Sequence, residues 1–185
     1  TTQYIRMDGK RQFLTSGGLG TMGYGLPAAI GASIGNPGNP VICISGDGGA
    51  QMNIQELATA HALETPVILC IFNNTYLGNV KQMQKMFYNK RYSSTCLRYS
   101  RSCNRQCRID GTCAGSDYVP DFVKLAESYG CTGIRVENEA QMDEAFKRAA
   151  ENTKSVTLIE FMLDCEYDVY PMVPGGAALS DMMFG

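Results

Sequence analysis

Tryptophan is absent, and histidine occurs once, at position 61, in a chain of 185 residues. A zinc site built on several histidines is thereby excluded, and any Ser-His-Asp triad would have to use His61. Charge is sparse too: 18% of residues are charged, below the roughly 25% usual for globular chains. Sixteen Lys and Arg against eighteen Asp and Glu leave a net charge of −2, so nothing calls for a nucleic-acid partner. No run of about 18 apolar residues is present, and no charged start with a following apolar stretch marks a leader. A soluble, cytoplasmic protein without a membrane partner is expected. The eight cysteines fall well short of the roughly 8–10% that marks a disulfide scaffold. Cys43, Cys70, Cys131 and Cys165 lie in or beside apolar runs, the expected place for reduced, buried thiols. The opening Thr1-Thr2-Gln3 reads as a cut from something longer.

What is present is apolar residues, at 44%, and an excess of glycine, 20 residues in all. Without a collagen-like period, such an excess points to tight turns and close backbone approach to a ligand. Short β-branched runs alternate with helical patterns, as in βαβ units around a parallel sheet. The strands expected are Val41–Ser45, Val67–Phe72, Gly133–Val136 and Val156–Phe161, each apolar on both faces like a central parallel strand. Helices are expected over Tyr24–Ile34, Asn53–Leu63 and Asp121–Tyr129, the last closed by Gly130. The second should turn Ile54, Leu57, Ala58 and His61 inward. Asn138 and Gln141 read as a capping box opening a helix to about Asn152. Ser93–Asp117 breaks this rhythm and reads as an insertion, while Asp164–Gly185 reads as a tail over a surface.

Gly18-Leu19-Gly20-Thr21-Met22-Gly23 is a literal G-x-G-x-x-G, preceded by the strand-like Gln12–Thr15 and followed by a helix. A dinucleotide fingerprint would need an acid about 20 residues on, at a strand end beside a ribose. Asp47 lies loosely there, but inside a glycine turn of its own. The alternative is a glycine turn that lets a helix pack close to the sheet.

That second turn, Gly46-Asp47-Gly48-Gly49, directly follows the strand VICIS, and Asn73-Asn74 directly follows the strand VILCIF. The 27 residues from Asp47 to Asn74 suit one turn–helix–turn–strand unit. A right-handed parallel connection puts both at carboxyl ends of neighbouring strands, where open α/β sheets bind ligands. A carboxylate, an amide oxygen and a backbone carbonyl suit Mg²⁺, which shares its octahedral oxygen shell with substrate phosphates. Glycines 48 and 49 would let main-chain N–H groups approach a diphosphate, with a helix from Asn53 aiming its positive end nearby.

This pattern resembles the thiamine-diphosphate motif. The runs Leu14–Ala32 (LTSGGLGTMGYGLPAAIGA), Gly46–Ala60 (GDGGAQMNIQELATA) and Asn73–Ser93 (NNTYLGNVKQMQKMFYNKRYS) resemble the catalytic large subunits of acetolactate synthases. So do Pro120–Gly130 and the tail Pro171–Met183. The resemblance implies an α/β, three-layer αβα fold with a central parallel sheet. It also implies a cofactor domain over residues 1–163, an insertion at about 94–119, and a tail at 164–185 over the active site. It places the metal ligands on Asp47, the Asn74 side chain and the Tyr76 carbonyl, and lines the diphosphate with Gly46, Gly48, Gly49 and Gly78. Gly20 would accept a hydrogen bond from the cofactor's 4′-amino group through its carbonyl. Met22 would wedge between the cofactor's two rings, so that the cofactor acts as its own base. The implied reaction is decarboxylation of pyruvate and condensation with a second 2-keto acid, in branched-chain amino acid biosynthesis. A homodimer or higher homo-oligomer, a regulatory small subunit, and FAD in a middle domain outside this chain are implied as well. A pyruvate-decarboxylase-like enzyme and a NAD-binding Rossmann domain stand as alternatives.

The chain departs from the family at Met83, where tryptophan shapes the acceptor pocket, and at Asn79, where methionine is usual; both bear on the acceptor acid. Gly175 stands where proline is common. The family's catalytic glutamate comes from another domain of a partner chain, and Glu56 and Glu64 cannot replace it. Residues 1–185 alone are therefore expected to be inactive. His61 is expected to be a core or helix-end histidine. Cys96, Cys103, Cys107 and Cys113 lack zinc-knuckle spacing and are read as loop thiols or a disulfide ahead of a metal or cluster site, with the nearby arginines Arg98, Arg101, Arg105 and Arg108 as a solvated face rather than an anion-attracting rim.

Overall fold

The computed structural model of the chain describes residues 4–9, 12–98 and 120–185. The described residues of Thr1–Asn73 and Pro120–Met162 form one compact unit, and those of Asn74–Val119 and Leu163–Gly185 form a second.

The first unit is a parallel sheet of β1 (Ile42–Gly46), β2 (Ile68–Asn73), β3 (Thr132–Val136) and β4 (Thr157–Met162), in the order β1-β2-β4-β3. Each strand lies within one residue of its expected position. Successive side chains point to opposite faces, so each central strand must have two apolar faces. In β4, Thr157–Phe161 are all buried. One face, through Cys43, Leu69, Ile71 and Leu158, packs against α1 (Gly25–Gly35), α3 (Glu56–Ala62) and α5 (Phe122–Ser128). The other, through Cys70, Ile134, Val136, Ile159 and Phe161, packs against Ala145 and Ala149 of α6 (Met142–Glu151). The result is the expected three-layer αβα sandwich. Leu57 and Phe122 are fully buried, each stabilising by about 1.5–3 kcal/mol. β1 and β3 depart from expectation: both are edge strands, with Ile42 and Ile44 exposed on one side of β1 and Arg135 exposed on β3.

Two glycines set close approaches. A Cβ on Gly133 of β3 would lie 2.7 Å from the Val123 carbonyl oxygen, so α5 sits directly on the strand's backbone. Gly130 closes α5 with φ +72°, as expected, and a Cβ there would meet the His61 ring at 2.7 Å. His61 itself is exposed, in the last turn of α3. Leu57 and Ala60, three residues apart, set the buried stripe, which turns Ala58 and His61 outward. The helix-end alternative for His61 therefore holds, and the inward stripe does not.

Other boundaries shift. Gly46–Ala50 is not an open turn: α2 (Asp47–Ala50) is a single helical turn, and α3 begins at Glu56 rather than Asn53. Glu64 lies beyond α3, with φ +48°. Gln12–Thr15 is not a strand. Asn138 makes no side-chain cap; Gln141 Oε1 instead accepts from the Glu137 N–H at 2.7 Å, and a 3-10 turn over Glu139–Gln141 precedes α6.

The second unit holds α4 (Gly78–Phe87), for which no helix was expected. Its buried positions are Lys81 and Gln82, not apolar residues. Lys81 Nζ donates to Glu166 Oε1 at 2.6 Å and to the Cys165 carbonyl at 2.8 Å, 4.7 Å from the Tyr76 ring centroid. Lys85 Nζ donates to Asp168 Oδ2 at 2.6 Å, and Gln82 exchanges two hydrogen bonds with the Val169 backbone. The tail is thus held to α4 by polar rungs. Cys165 is half-buried, not fully buried as Cys43, Cys70 and Cys131 are. Cys103, Cys107, Cys113, Arg101, Arg105 and Arg108 lie outside the described residues.

Candidate functional site

In the first unit, Gly46 and Phe72 are register partners, so Asp47 and Asn73 leave the sheet at the same end. Asp47 is 3% exposed, and its Oδ1 accepts from the Gly48 N–H at 2.8 Å. A carboxylate taken so far out of water must meet donors or a cation. Gly48 is buried beside it, and a Cβ on Gly49 would stand 3.1 Å from Ser45 Oγ, so the one-turn α2 is packed tightly against β1.

The earlier glycine turn belongs to the same unit. Gly20 has φ +63°, a conformation costly for any other residue, and its N–H donates to the Ser16 carbonyl at 2.7 Å. The Ser16 hydroxyl accepts from the Thr21 N–H at 3.0 Å. Met22 is 44% exposed. Gly23, at φ +88°, would bring a Cβ to 2.7 Å from Met52 Cβ, and its carbonyl accepts from Asn53 Nδ2 at 3.1 Å. Both glycine turns line one small cleft, through Gly23, Gly25, Ser45 and Gly49. With no strand at Gln12–Thr15, the G-x-G-x-x-G lacks the preceding strand that dinucleotide binding requires.

The second unit carries the residues after β2. Asn74 Oδ1 accepts from the Tyr76 N–H at 3.1 Å, a local turn that fixes the amide. A Cβ on Gly78 would stand 2.7 Å from Asn74 Nδ2, so only glycine leaves room for that amide. Tyr76 is buried, bridged to Cys96, and Leu77 N–H donates to the Thr95 carbonyl at 2.8 Å. Asn79 is exposed and Met83 half-buried on α4.

The donors named by the sequence are a carboxylate, an amide oxygen and a main-chain carbonyl, the hard oxygen set that suits Mg²⁺. Among the described residues, no group of three or more His, Cys, Asp and Glu could hold a metal ion, so no competing centre of that kind exists there. Burial pushes the Cys43 thiol up to about 11 and the Cys70 thiol up to about 12, which makes both inert as nucleophiles or thiolate ligands. Among the described residues, no helix is long and apolar enough to cross a membrane.

Sequence reasoning did not find the group formed by the buried Asn73 and Glu160 with the exposed Arg135. Asn73 Nδ2 donates to Glu160 Oε1 at 2.7 Å, and Arg135 Nε donates to Glu160 Oε2 at 2.9 Å. Its signal was a lone acid inside the apolar strand VTLIEF.

Comparison with known proteins agrees with this architecture. The chain is 43% identical over 180 residues to a probable acetolactate synthase large subunit of Methanococcus aeolicus, covering 97% of this chain and 26% of that protein. It is 39% identical over 181 residues to the acetolactate synthase isozyme 3 large subunit of Escherichia coli K12, covering 97% and 28% respectively. The chain thus spans little more than a quarter of the length of these relatives. Among solved structures, a thiamine diphosphate-dependent 4-hydroxybenzoylformate decarboxylase of Rhodococcus jostii RHA1 matches 77% of this chain and 23% of its own. The TM-score is 0.63, with 30% sequence identity. Residues 1–161 match the model described as thiamine pyrophosphate enzyme, C-terminal TPP binding domain, and the chain belongs to that family.

Proposed function

We propose that this chain is the cofactor-binding part of a thiamine diphosphate- and Mg²⁺-dependent acetolactate synthase. The reaction decarboxylates pyruvate and joins the remainder to a second 2-keto acid, in branched-chain amino acid biosynthesis. The observation that carries this is Asp47, a carboxylate buried in a glycine-rich turn at the carboxyl end of a parallel strand. It does so in a chain of this family that is 43% identical over 180 residues to an acetolactate synthase large subunit.

In this proposal Asp47, the Asn74 side-chain oxygen and the Tyr76 carbonyl hold the metal. Gly46, Gly48, Gly49 and Gly78 keep side chains out of the diphosphate's path. Gly20 offers a carbonyl to the cofactor's amino group, and the exposed Met22 presents the apolar wedge. Thiamine diphosphate supplies the nucleophilic carbon and the electron sink for loss of carbon dioxide; the protein fixes its shape and surroundings. Asn79 and Met83 replace larger family residues and tune which acceptor acid is taken. A homodimer or higher homo-oligomer, a regulatory small subunit, FAD in another domain and a cytoplasmic setting complete the proposal. Residues 1–185 alone do not turn over, because the catalytic glutamate comes from elsewhere. The test is product analysis of the full-length protein with pyruvate, thiamine diphosphate and Mg²⁺. Acetolactate is expected; acetaldehyde alone would replace this proposal with the pyruvate-decarboxylase-like alternative.

A further inference from the structure

Glu160 is the one acid in the strand Thr157–Met162 and is 1% exposed, at the centre of the sheet. Its two carboxylate oxygens are divided between two partners. Oε1 accepts from Asn73 Nδ2 at 2.7 Å, and Asn73 is fully buried. Oε2 accepts from Arg135 Nε at 2.9 Å, and Arg135 is the register partner of Glu160 on β3. The same guanidinium reaches Asp121 Oδ1 at 2.9 Å through Nη2, and Asp121 also caps α5 through the Lys124 N–H at 3.2 Å. Three adjacent strands, β2, β4 and β3, thus contribute one member each to a single chain of charge-assisted hydrogen bonds.

Such a group is a poor way to stabilise a sheet. An apolar residue of similar volume at a buried ionic position is often neutral or stabilising, because desolvating the charge is costly. What the carboxylate offers that a leucine does not is direction. Its short bond to the Asn73 amide fixes one rotamer of the last residue of β2, and Arg135 fixes the carboxylate in turn. Asn73 is bonded to Asn74. Partners that orient a metal ligand without touching the metal commonly govern its affinity.

We propose that Glu160, anchored by Arg135, is a positioning residue for metal binding: it locks Asn73 so that the chain enters Asn74 in the direction the ligand requires. The proposal rests on Asn74 being a metal ligand. The test uses the full-length protein with saturating thiamine diphosphate and titrates Mg²⁺ calorimetrically. E160Q keeps the side chain's shape, and Arg135 keeps Asp121, so no cation is stranded. The Mg²⁺ midpoint is expected to rise by roughly 10- to 100-fold, with cofactor affinity at saturating Mg²⁺ little changed. R135Q, at an exposed position, replaces the charged donor to the same carboxylate by a neutral one and is expected to raise the midpoint in the same direction by a smaller factor. A fall in unfolding temperature with an unchanged Mg²⁺ midpoint in both variants would overturn the proposal and leave the group a purely structural one. Failure of the unaltered protein to bind the cofactor in a Mg²⁺-dependent way would instead overturn the cofactor proposal itself, and this one with it.

Discussion

Gly78→Ala separates ligand geometry from fold stability. Gly78 opens α4, and its φ lies outside the left-handed region, so the backbone accepts alanine. The new Cβ would stand 2.7 Å from Asn74 Nδ2, where ordinary contact begins near 3.4 Å. The amide must therefore withdraw by about 0.7 Å, well beyond the roughly ±0.2 Å that metal–ligand distances tolerate. Because the clash is with the end of a rotatable side chain, the conformational cost is only about 0.5–1.5 kcal/mol. Alanine's better helix propensity offsets part of it, by up to about 1 kcal/mol. The same amide accepts from the Tyr76 N–H through Oδ1 at 3.1 Å, so its withdrawal disturbs that bond as well. In the full-length protein, the Mg²⁺ midpoint for cofactor binding should rise by roughly 10- to 100-fold. The unfolding temperature should move by no more than about 4 °C. A variant whose Mg²⁺ midpoint matches the unaltered protein would refute Asn74 as a ligand.

Two further outcomes follow from the packing and the charges. Gly133→Ala should behave oppositely to Gly78→Ala, since its Cβ would meet backbone atoms of Val123 at 2.7 and 2.9 Å that cannot rotate away. α5 must be pushed off β3, at a cost of about 1–3 kcal/mol or more, and an unchanged unfolding temperature would contradict that contact. The Lys81 ammonium, donating to Glu166, holds its carboxyl below the ordinary value of 4.5. A depressed carboxyl pKa stabilises fully above the unfolded value and loses its contribution as pH falls through the folded one. Hydrogen-exchange protection of residues 163–185, corrected for intrinsic rates, should drop as pH falls below about 4.5 and should lose that dependence in E166Q. An identical profile in both would show that the pair does not hold the tail.

The parallel sheet was legible because β-branched runs too short for helices announce buried strands, and all four lie where VICIS, VILCIF, GIRV and VTLIEF stand. Asp47 and Asn73-Asn74 were legible for the same reason: they are polar residues set directly after such runs. α4 was not legible, because its buried face is Lys81 and Gln82, which satisfy tail groups rather than an apolar core. The phase of α3 was not legible, because His61 falls at helical spacing from Leu57, yet Gly130 leaves the ring a place at the surface. The Asn73–Glu160–Arg135 group joins residues 87 and 25 positions apart. No local pattern encodes such a link; only the strand order β2-β4-β3 creates it.

The product that the full-length protein makes from pyruvate decides whether this chain equips an acetolactate synthase with its cofactor site. The assay is run with and without thiamine diphosphate and Mg²⁺. Acetolactate and carbon dioxide are expected, only when both are supplied, and none of either when Asp47 is changed to alanine. Acetaldehyde as the sole product, or turnover that persists in D47A or without Mg²⁺, would contradict that role.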